Sequence, residues 1–331
     1  MYMNLVSVII PVYQVSDYVE RCVLSVMAQS YTTIECILID DKTQDDSIIK
    51  CERLIEEYKG PIRFKILHHG TNRGLSAARN TGTLAASGEY VFYLDSDDEI
   101  TSDCIEKLVS AAQANPAAEI VVGNTQVYKD GKPGKIWIKD EVPSVLNGND
   151  TIVSFYHRKL IPNAVWNKLI KISFIKDNGL YNKEGIIHED ILWMFYVMKY
   201  LSQIVLVKDV TSHYLIRPGS ISTSASKSEE GSNYMVVYDD IIHNLTKGRE
   251  KKEIRRYMKD FCKCSLAYGT MFPYYKKLHK FFLIKSLRFF SWKSSFVLAS
   301  TGLIGCFKNP STVFNRLNGL RSKTFNNLKR I

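Results

Sequence analysis

Three carboxylates close behind an apolar run are the part of this chain best suited to chemistry. In Glu89-Tyr-Val-Phe-Tyr-Leu-Asp-Ser-Asp-Asp-Glu99, residues Val91 to Leu94 read as a buried strand. That strand delivers Asp95, Asp97 and Asp98 to a loop at its carboxyl end, the edge where open α/β sheets bind ligands. Alternate carboxylates there offer hard oxygen ligands to Mg²⁺ or Mn²⁺, and such an ion is commonly shared with a substrate phosphate. A solvated acidic turn has the same composition, so the surrounding motifs decide between the two.

Several of those motifs point the same way. A first strand, Leu5–Ile10, runs into Pro11-Val12-Tyr13. Proline stops the ladder and leaves the tyrosine ring at the ligand edge, though plain strand termination would look alike. A second strand ends in Ile39-Asp40-Asp41, whose carboxylates either accept hydrogen bonds from a base or ribose or cap the helix beginning at Asp45. In Asn72-Arg-Gly-Leu-Ser-Ala-Ala-Arg-Asn-Thr-Gly82 a glycine turn enters a helix of small residues. Backbone and cations can approach a phosphate closely there, and Arg73 and Arg79 offer it bidentate contacts. The other reading is a surface helix laced by salt bridges. Finally, Glu189 and Asp190 open an amphipathic helix whose buried face is Ile191, Met194, Phe195 and Met198. Acids in a first turn favour the helix dipole by about 0.3–1 kcal/mol, so they serve either the helix or a reaction.

Strands and helices alternate to position these groups. The spacing predicts strands at 5–10, 34–39, 64–67, 91–94 and 119–123, with helices at 17–29, 45–58, 75–86 and 102–114. This order implies an α/β fold with a mostly parallel central sheet and helices on both faces. A hairpin is expected over Gln126–Trp137, turning at Asp130-Gly131. Short helices follow at Thr151–Arg158 and Asn163–Phe174, a stronger one at His188–Tyr200, and a strand at Tyr214–Ile216.

In order, Val6-Ser-Val-Ile-Ile-Pro-Val-Tyr13, Ile39-Asp-Asp-Lys-Thr-Gln-Asp45, Asn72 to Gly82 and Tyr93-Leu-Asp-Ser-Asp-Asp98 resemble glycosyltransferase family 2, with the Rossmann-like glycosyltransferase A fold. The resemblance covers about residues 5–225 and implies an inverting transferase that uses a nucleotide sugar, most often UDP-linked. By that resemblance Pro11, Val12 and Tyr13 wall the base pocket, and Asp40 and Asp41 sit near the nucleotide. Arg73 faces nucleotide or phosphate, and Asp95, Ser96 and Asp97 belong to the nucleotide-binding set. Asp97 ligates Mn²⁺ or Mg²⁺, while Asp95 contacts the ribose or the metal. Asp190 matches the family's base, kept ionised by a dipole-lowered pKa, and Glu189 orients the loop or the acceptor. Tyr214-Leu-Ile-Arg217-Pro-Gly-Ser220-Ile-Ser222 resembles a segment that closes over the diphosphate. Arg217 would neutralise the leaving group there, with Ser220 and Ser222 as hydroxyl donors. His188 or His213 is a candidate third metal ligand. Trp166 and Trp193 could stack on sugar faces, Trp193 being the better candidate for core packing. Lys42 and Thr43 depart from the Gly and Ser usual after the paired aspartates, which puts that turn's geometry in question and offers Lys42 as a phosphate contact.

Charge divides the chain unevenly. Residues 1–244 carry 24 Lys/Arg against 31 Asp/Glu, whereas 245–331 carry 20 against 3. Lys276 to Lys293 interleaves cations with Phe and Trp, a pattern suited to an anionic membrane surface or to a packed basic subdomain. No recognised nucleic-acid motif occurs, so no nucleic-acid partner is expected. The cysteines are odd in number, have no Cys-x-x-Cys spacing and several lie in apolar runs, as reduced buried thiols do. The start lacks the basic stretch of a signal peptide, and the longest uncharged apolar run, Ser294 to Phe307, is too short to span a bilayer.

The expected organisation is a catalytic domain over 1–231, with a nucleotide half at 1–125 and an acceptor half at 126–231, then a helical basic region over 232–331. The expected activity is metal-dependent transfer of a hexose or N-acetylhexosamine to a lipid-linked saccharide in surface polysaccharide synthesis, on the cytoplasmic face of the membrane. A nucleotidyltransferase using the same sheet edge and a non-catalytic nucleotide-sugar-binding scaffold are the alternatives.

Overall fold

The computed structural model describes residues 4–217, 219–220 and 227–245. Continuous apolar runs become the central strands, since a strand covered on both faces has no polar side to show. These are β1 (Val6–Val12), β2 (Ile34–Asp40) and β4 (Tyr90–Tyr93), with β3 (Arg63–His68) at the edge. They pair in parallel in the order β3-β2-β1-β4. The chain turns back on itself at β1, so the crevice between the carboxyl ends of β1 and β4 is the switch point where such sheets bind ligands.

The second half extends the same sheet. Its strands are β5 (Glu99–Ile100), β6 (Ile120–Lys129), β7 (Lys132–Ile136), β8 (Val145–Asn147), β9 (Lys168–Lys171) and β10 (Gln203–Ile216). Beyond β4 the order continues β9-β6-β10-β5, with β7 on β6 and β8 on β10. β6 and β10 run parallel, while β9 is antiparallel to both β4 and β6. The result is the mixed, mostly parallel sheet with helices on both faces that the sequence implies.

Period-two alternation sends Val6, Val8, Ile10 and Val12 to one core with α1 (Val19–Met27), α2 (Ser47–Glu57) and α4 (Cys104–Ala114). Ile9, Ile37 and Val91 face the other, shared with α3 (Leu75–Ala85), α5 (Asn149–His157), α6 (Ile172–Asp177) and α7 (Glu189–Tyr200). The small residues of α3 have a packing reason: a Cβ added at Gly82 would strike the Ile9 side chain on β1.

Several expectations need correction. Pro11 does not end the first strand, which runs on to Val12; proline costs only its own N–H, and the ladder beyond it survives. Asn163–Phe174 is not a helix: it holds a loop, the buried strand β9 and the start of α6. Lys168, a charged residue within that segment, is only 1 % exposed. The strand expected at Tyr214–Ile216 is the tail of the 14-residue β10. The hairpin turn does fall at Asp130-Gly131, with φ of 51° and 71°, as a type I′ turn requires.

Among the described residues the free cysteines Cys22, Cys36, Cys51 and Cys104 are all buried, and no helix is long and apolar enough to cross a membrane. The chain divides into compact units Met1–Thr223 and Ser224–Ile331, and helix α8 spans Lys227–Leu245. Ser222 and the basic stretch Lys276–Lys293 lie outside the described residues.

Candidate active site

At the carboxyl end of β2 the two aspartates do different work. Asp40 Oδ1 accepts from Thr43 N at 2.9 Å and its Oδ2 lies 2.9 Å from His68 Nδ1. Its side chain keeps some exposure toward the edge. Asp41 is buried, and its oxygens accept from Arg73 N at 2.8 Å and Gly74 N at 2.7 Å, with His69 Nδ1 at 2.7 Å. Asp41 therefore does not present itself to a nucleotide; it holds the glycine turn that leads into α3. Between them Lys42 adopts φ 61°, so the turn keeps the left-handed form that glycine favours and lysine bears the strain.

The expected pocket wall is also only partly a wall. Pro11 and Val12 are buried, and Val12 points into the apolar core because alternate strand residues face opposite ways. Tyr13, at 41 % exposure, is the one presented to solvent.

The turn after β4 is pinned from two sides. Asp98 N donates to Asp95 O at 3.0 Å, and Arg21 Nη2 donates to Asp97 O at 2.8 Å. Asp98 is buried; its Oδ1 accepts from Leu215 N on β10 at 3.1 Å, and its Oδ2 has no hydrogen-bond partner. Burial, then the charges of Asp97 and Asp95, push its pKa well above the usual carboxylate range. Asp97 is raised too, by burial and by Asp95, even though Arg217 Nε donates to its Oδ2 at 2.7 Å. Ser96 between them is buried.

This crowding of like charge is what a divalent cation would relieve, and Asp95 and Asp97 supply its preferred oxygen donors. Mg²⁺ is commonly held by one or two carboxylates plus water and phosphate oxygens, so the pair fits. Among the described residues no group of three or more His, Cys, Asp or Glu side chains is arranged to hold a metal. Neither histidine candidate thus completes a set: His213 Nδ1 lies 3.5 Å from Glu99 Oε1, and His188 is the left-handed residue before α7.

Arg79 is the residue whose role the sequence most concealed. Rather than facing phosphate, its guanidinium is 2 % exposed and bridges Asp95 Oδ1 and Glu189 Oε1, each at 2.7 Å. Burial opposes its charge, but the two carboxylates outweigh burial and raise its pKa. The bridge ties the turn after β4 to the first turn of α7. Glu189 is itself buried, which raises its pKa, while Arg79 draws it back. Arg73, by contrast, is exposed and pairs loosely with Glu184 at 3.2 Å.

Asp190 follows Glu189 on α7 and is partly exposed. Its pKa is raised by burial, with Ile191 N–H, Arg79 and Lys168 opposing. The expected dipole-lowered value is therefore corrected: desolvation wins, which makes Asp190 a stronger base than a surface aspartate. Lys168, unforeseen, is buried in β9 and its pKa is lowered by burial to about 7, with Asp190 opposing. A lone cation among Val165, Trp166, Leu169 and Ile170 was the available signal.

Trp193 is core, 2 % exposed, with Nε1 donating to Leu180 O at 2.9 Å. Trp166 is half-buried and packs on Trp137 and Tyr214.

The model of the family described as "Glycosyl transferase family 2" matches residues 7–183. The chain belongs to glycosyltransferase family 2. A Haemophilus influenzae protein described as an uncharacterized glycosyltransferase is 32% identical over 232 residues, 69% of this chain and 84% of that one. A Campylobacter jejuni GalNAc(5)-diNAcBac-PP-undecaprenol beta-1,3-glucosyltransferase is 27% identical over 278 residues, 83% of each. The fold matches S. aureus TarS 1-349 in complex with UDP-GlcNAc at a TM-score of 0.63 and 19% identity, covering 80% of this chain and 73% of TarS 1-349. This glycosyltransferase thus has the glycosyltransferase A fold that its motifs resemble.

Proposed function

We propose that this glycosyltransferase moves a hexose or N-acetylhexosamine from a UDP-linked donor to a lipid-linked saccharide, with inversion at the anomeric carbon. The observation that carries the reading is the Asp95–Arg79–Glu189 bridge, because it sets the donor-side carboxylates and the Asp190 helix on one frame. The names of TarS's bound ligand and of the Campylobacter enzyme's acceptor support the donor and acceptor classes.

In this reading Asp40 and Tyr13 flank the base, and Arg73 leaves Glu184 to meet phosphate. Lys42 stands exposed beside them. Asp95 and Asp97 would hold Mn²⁺ or Mg²⁺, which supplies positive charge to the diphosphate. Asp190 takes the proton of the acceptor hydroxyl at a carboxylate oxygen as that hydroxyl's oxygen bonds to the anomeric carbon. The bond from that carbon to the diphosphate oxygen breaks in the same step, and the nucleoside diphosphate departs with Arg217 countering its charge. Glu189, held by Arg79, keeps the loop in place, and Trp166 offers a face to the acceptor.

The basic residues of 245–331 would draw the enzyme to an anionic membrane surface on the cytoplasmic side, worth about 1 kcal/mol per cation near the headgroups. A lipid-linked acceptor lies there.

The test pairs UDP-sugars with a polyprenyl-diphosphate-linked saccharide and reads the anomeric configuration of the product by proton NMR. Asp190→Asn is expected to bind UDP normally and lose transfer by roughly 10²–10⁴-fold. Near-normal turnover would remove Asp190 as the base, and retained configuration would remove the single displacement.

A further inference from the structure

Three aromatic rings from three separate segments meet beside the carboxylate turn. Trp137 follows β7, Trp166 precedes β9 and Tyr214 lies on β10. Trp166 stacks on Tyr214 at 5.4 Å and 27° between planes, and lies tilted against Trp137 at 4.9 Å and 38°. Trp137 and Tyr214 are 6.2 Å apart.

Their position along the sheet edge is set by backbone hydrogen bonds. Asn167 N, next to Trp166, donates to Tyr93 O at 3.2 Å, at the end of the strand that leads to Asp95. Leu215 N, next to Tyr214, donates to Asp98 Oδ1 at 3.1 Å. Two of the three rings are therefore one residue away from groups bonded to the carboxylate-bearing segment. Beneath them a buried polar network joins the same segments. Asn167 Nδ2 donates to Thr125 Oγ1 at 3.0 Å, Thr125 Oγ1 meets Ser212 Oγ at 2.9 Å, and Trp137 N donates to Thr125 O at 3.2 Å. Such a network holds the rings in place before any ligand arrives, which reduces the ordering cost of binding.

Core packing does not account for the trio. Trp193 shows what a core tryptophan looks like in this chain: fully buried, with its indole N–H satisfied. Trp137, Trp166 and Tyr214 are each partly exposed, and the Trp137 indole N–H is shielded from water without a hydrogen-bond partner. Unpaired buried polar atoms occur at several other described side chains, so the partial exposure of the three rings is what separates them from the core.

We propose that Trp137, Trp166 and Tyr214 form a stacking subsite for the acceptor sugar, taking the apolar C–H face of a β-linked hexopyranose. Axial C–H groups on one face of β-glucosides and β-galactosides present a flat apolar surface that matches an aromatic wall, while their hydroxyls stay at the rim for polar contacts. The inference rests on the transfer reading above and names the acceptor's chemical class.

Saturation-transfer NMR on the full chain with UDP, diamagnetic Mg²⁺ and either methyl β-D-glucopyranoside or methyl β-D-galactopyranoside tests it. Saturation is expected on the pyranose ring protons of at least one glycoside, strongest on H1, H3 and H5. Trp137→Ala and Tyr214→Ala should each lower it by about threefold or more, and Trp137→Phe, which keeps an aromatic face, should lower it less. UDP signals in the same tube report the donor site and the fold of each variant. UDP saturation without any glycoside saturation, or glycoside saturation unchanged by both alanine variants, overturns the subsite. Loss of UDP saturation in the unmodified protein would instead count against the donor reading.

Discussion

Arg217 Nε stands 2.7 Å from Asp97 Oδ2, with its guanidinium 4.6 Å from the centre of the Tyr18 ring. The arginine thus sits on a carboxylate proposed to hold the cation. Two positive groups competing for one carboxylate weaken each other, and the arginine released by the cation is then available to a phosphate.

Arg217→Ala should therefore bind Mn²⁺ more tightly than the unmodified protein when no nucleotide is present, by roughly tenfold at low salt. Titration followed by the electron paramagnetic resonance of free Mn²⁺ reads this directly. Weaker or unchanged binding would show that Arg217 and the ion do not share Asp97. The same variant should lose transfer by about 10²-fold, since a charge on the leaving group goes unanswered.

Removing Arg79 leaves Asp95 and Glu189 facing each other without their shared cation. Arg79→Met is expected to cost about 3–5 kcal/mol, the range seen when one partner of a buried ion pair is deleted. Urea unfolding measures it, and a loss under 1 kcal/mol, on the scale of a surface pair, would contradict the burial of this bridge.

The acid limb of the kcat/KM profile should report Asp190. Burial raises its pKa, so activity should begin to fall at a higher pH than an ordinary aspartate would give. Lys168 and Arg79 oppose that rise, so Lys168→Met should move the limb further upward. A downward shift, or none, would separate Lys168 from the base.

The same shift has a stability consequence with a definite sign. A carboxylate whose folded pKa lies above its unfolded value contributes stability at low pH, and that contribution is lost as pH rises through the folded value. Ionised Asp190 is thus a burden near neutrality, and Asp190→Asn should raise Tm at pH 7.5 while changing it little below the unfolded value. Calorimetry at both pH values decides it. A lowered Tm at pH 7.5 would contradict the direction.

Lys42 holds φ 61°, a conformation that costs a side-chain-bearing residue more than glycine. Lys42→Gly should raise stability by about 0.5–1 kcal/mol after the glycine's extra chain entropy is subtracted. A urea midpoint that falls would mean Lys42 makes a contact worth more than its strain. A weaker affinity for UDP in the same variant would identify that contact as a phosphate.

Much of this was legible in order along the chain. The apolar runs at Ile37–Ile39 and Val91–Leu94, with the acids that follow them, mark the strands and the face where ligands gather, because local hydrophobic pattern and turn residues depend on near neighbours only. The Asp130-Gly131 hairpin is equally local. Tertiary structure alone decided who pairs with whom. Arg79 and Glu189 are 110 residues apart, and nothing in the helix of small residues told whether the guanidinium faced solvent, phosphate or the interior. The 163–174 segment was misread, and Lys168 passed over, for the same reason: a strand inserted between β4 and β6 takes its identity from partners distant in sequence. The direction of the Asp190 shift belongs to this class as well, since the helix dipole is visible in sequence while desolvation depends on everything packed around it.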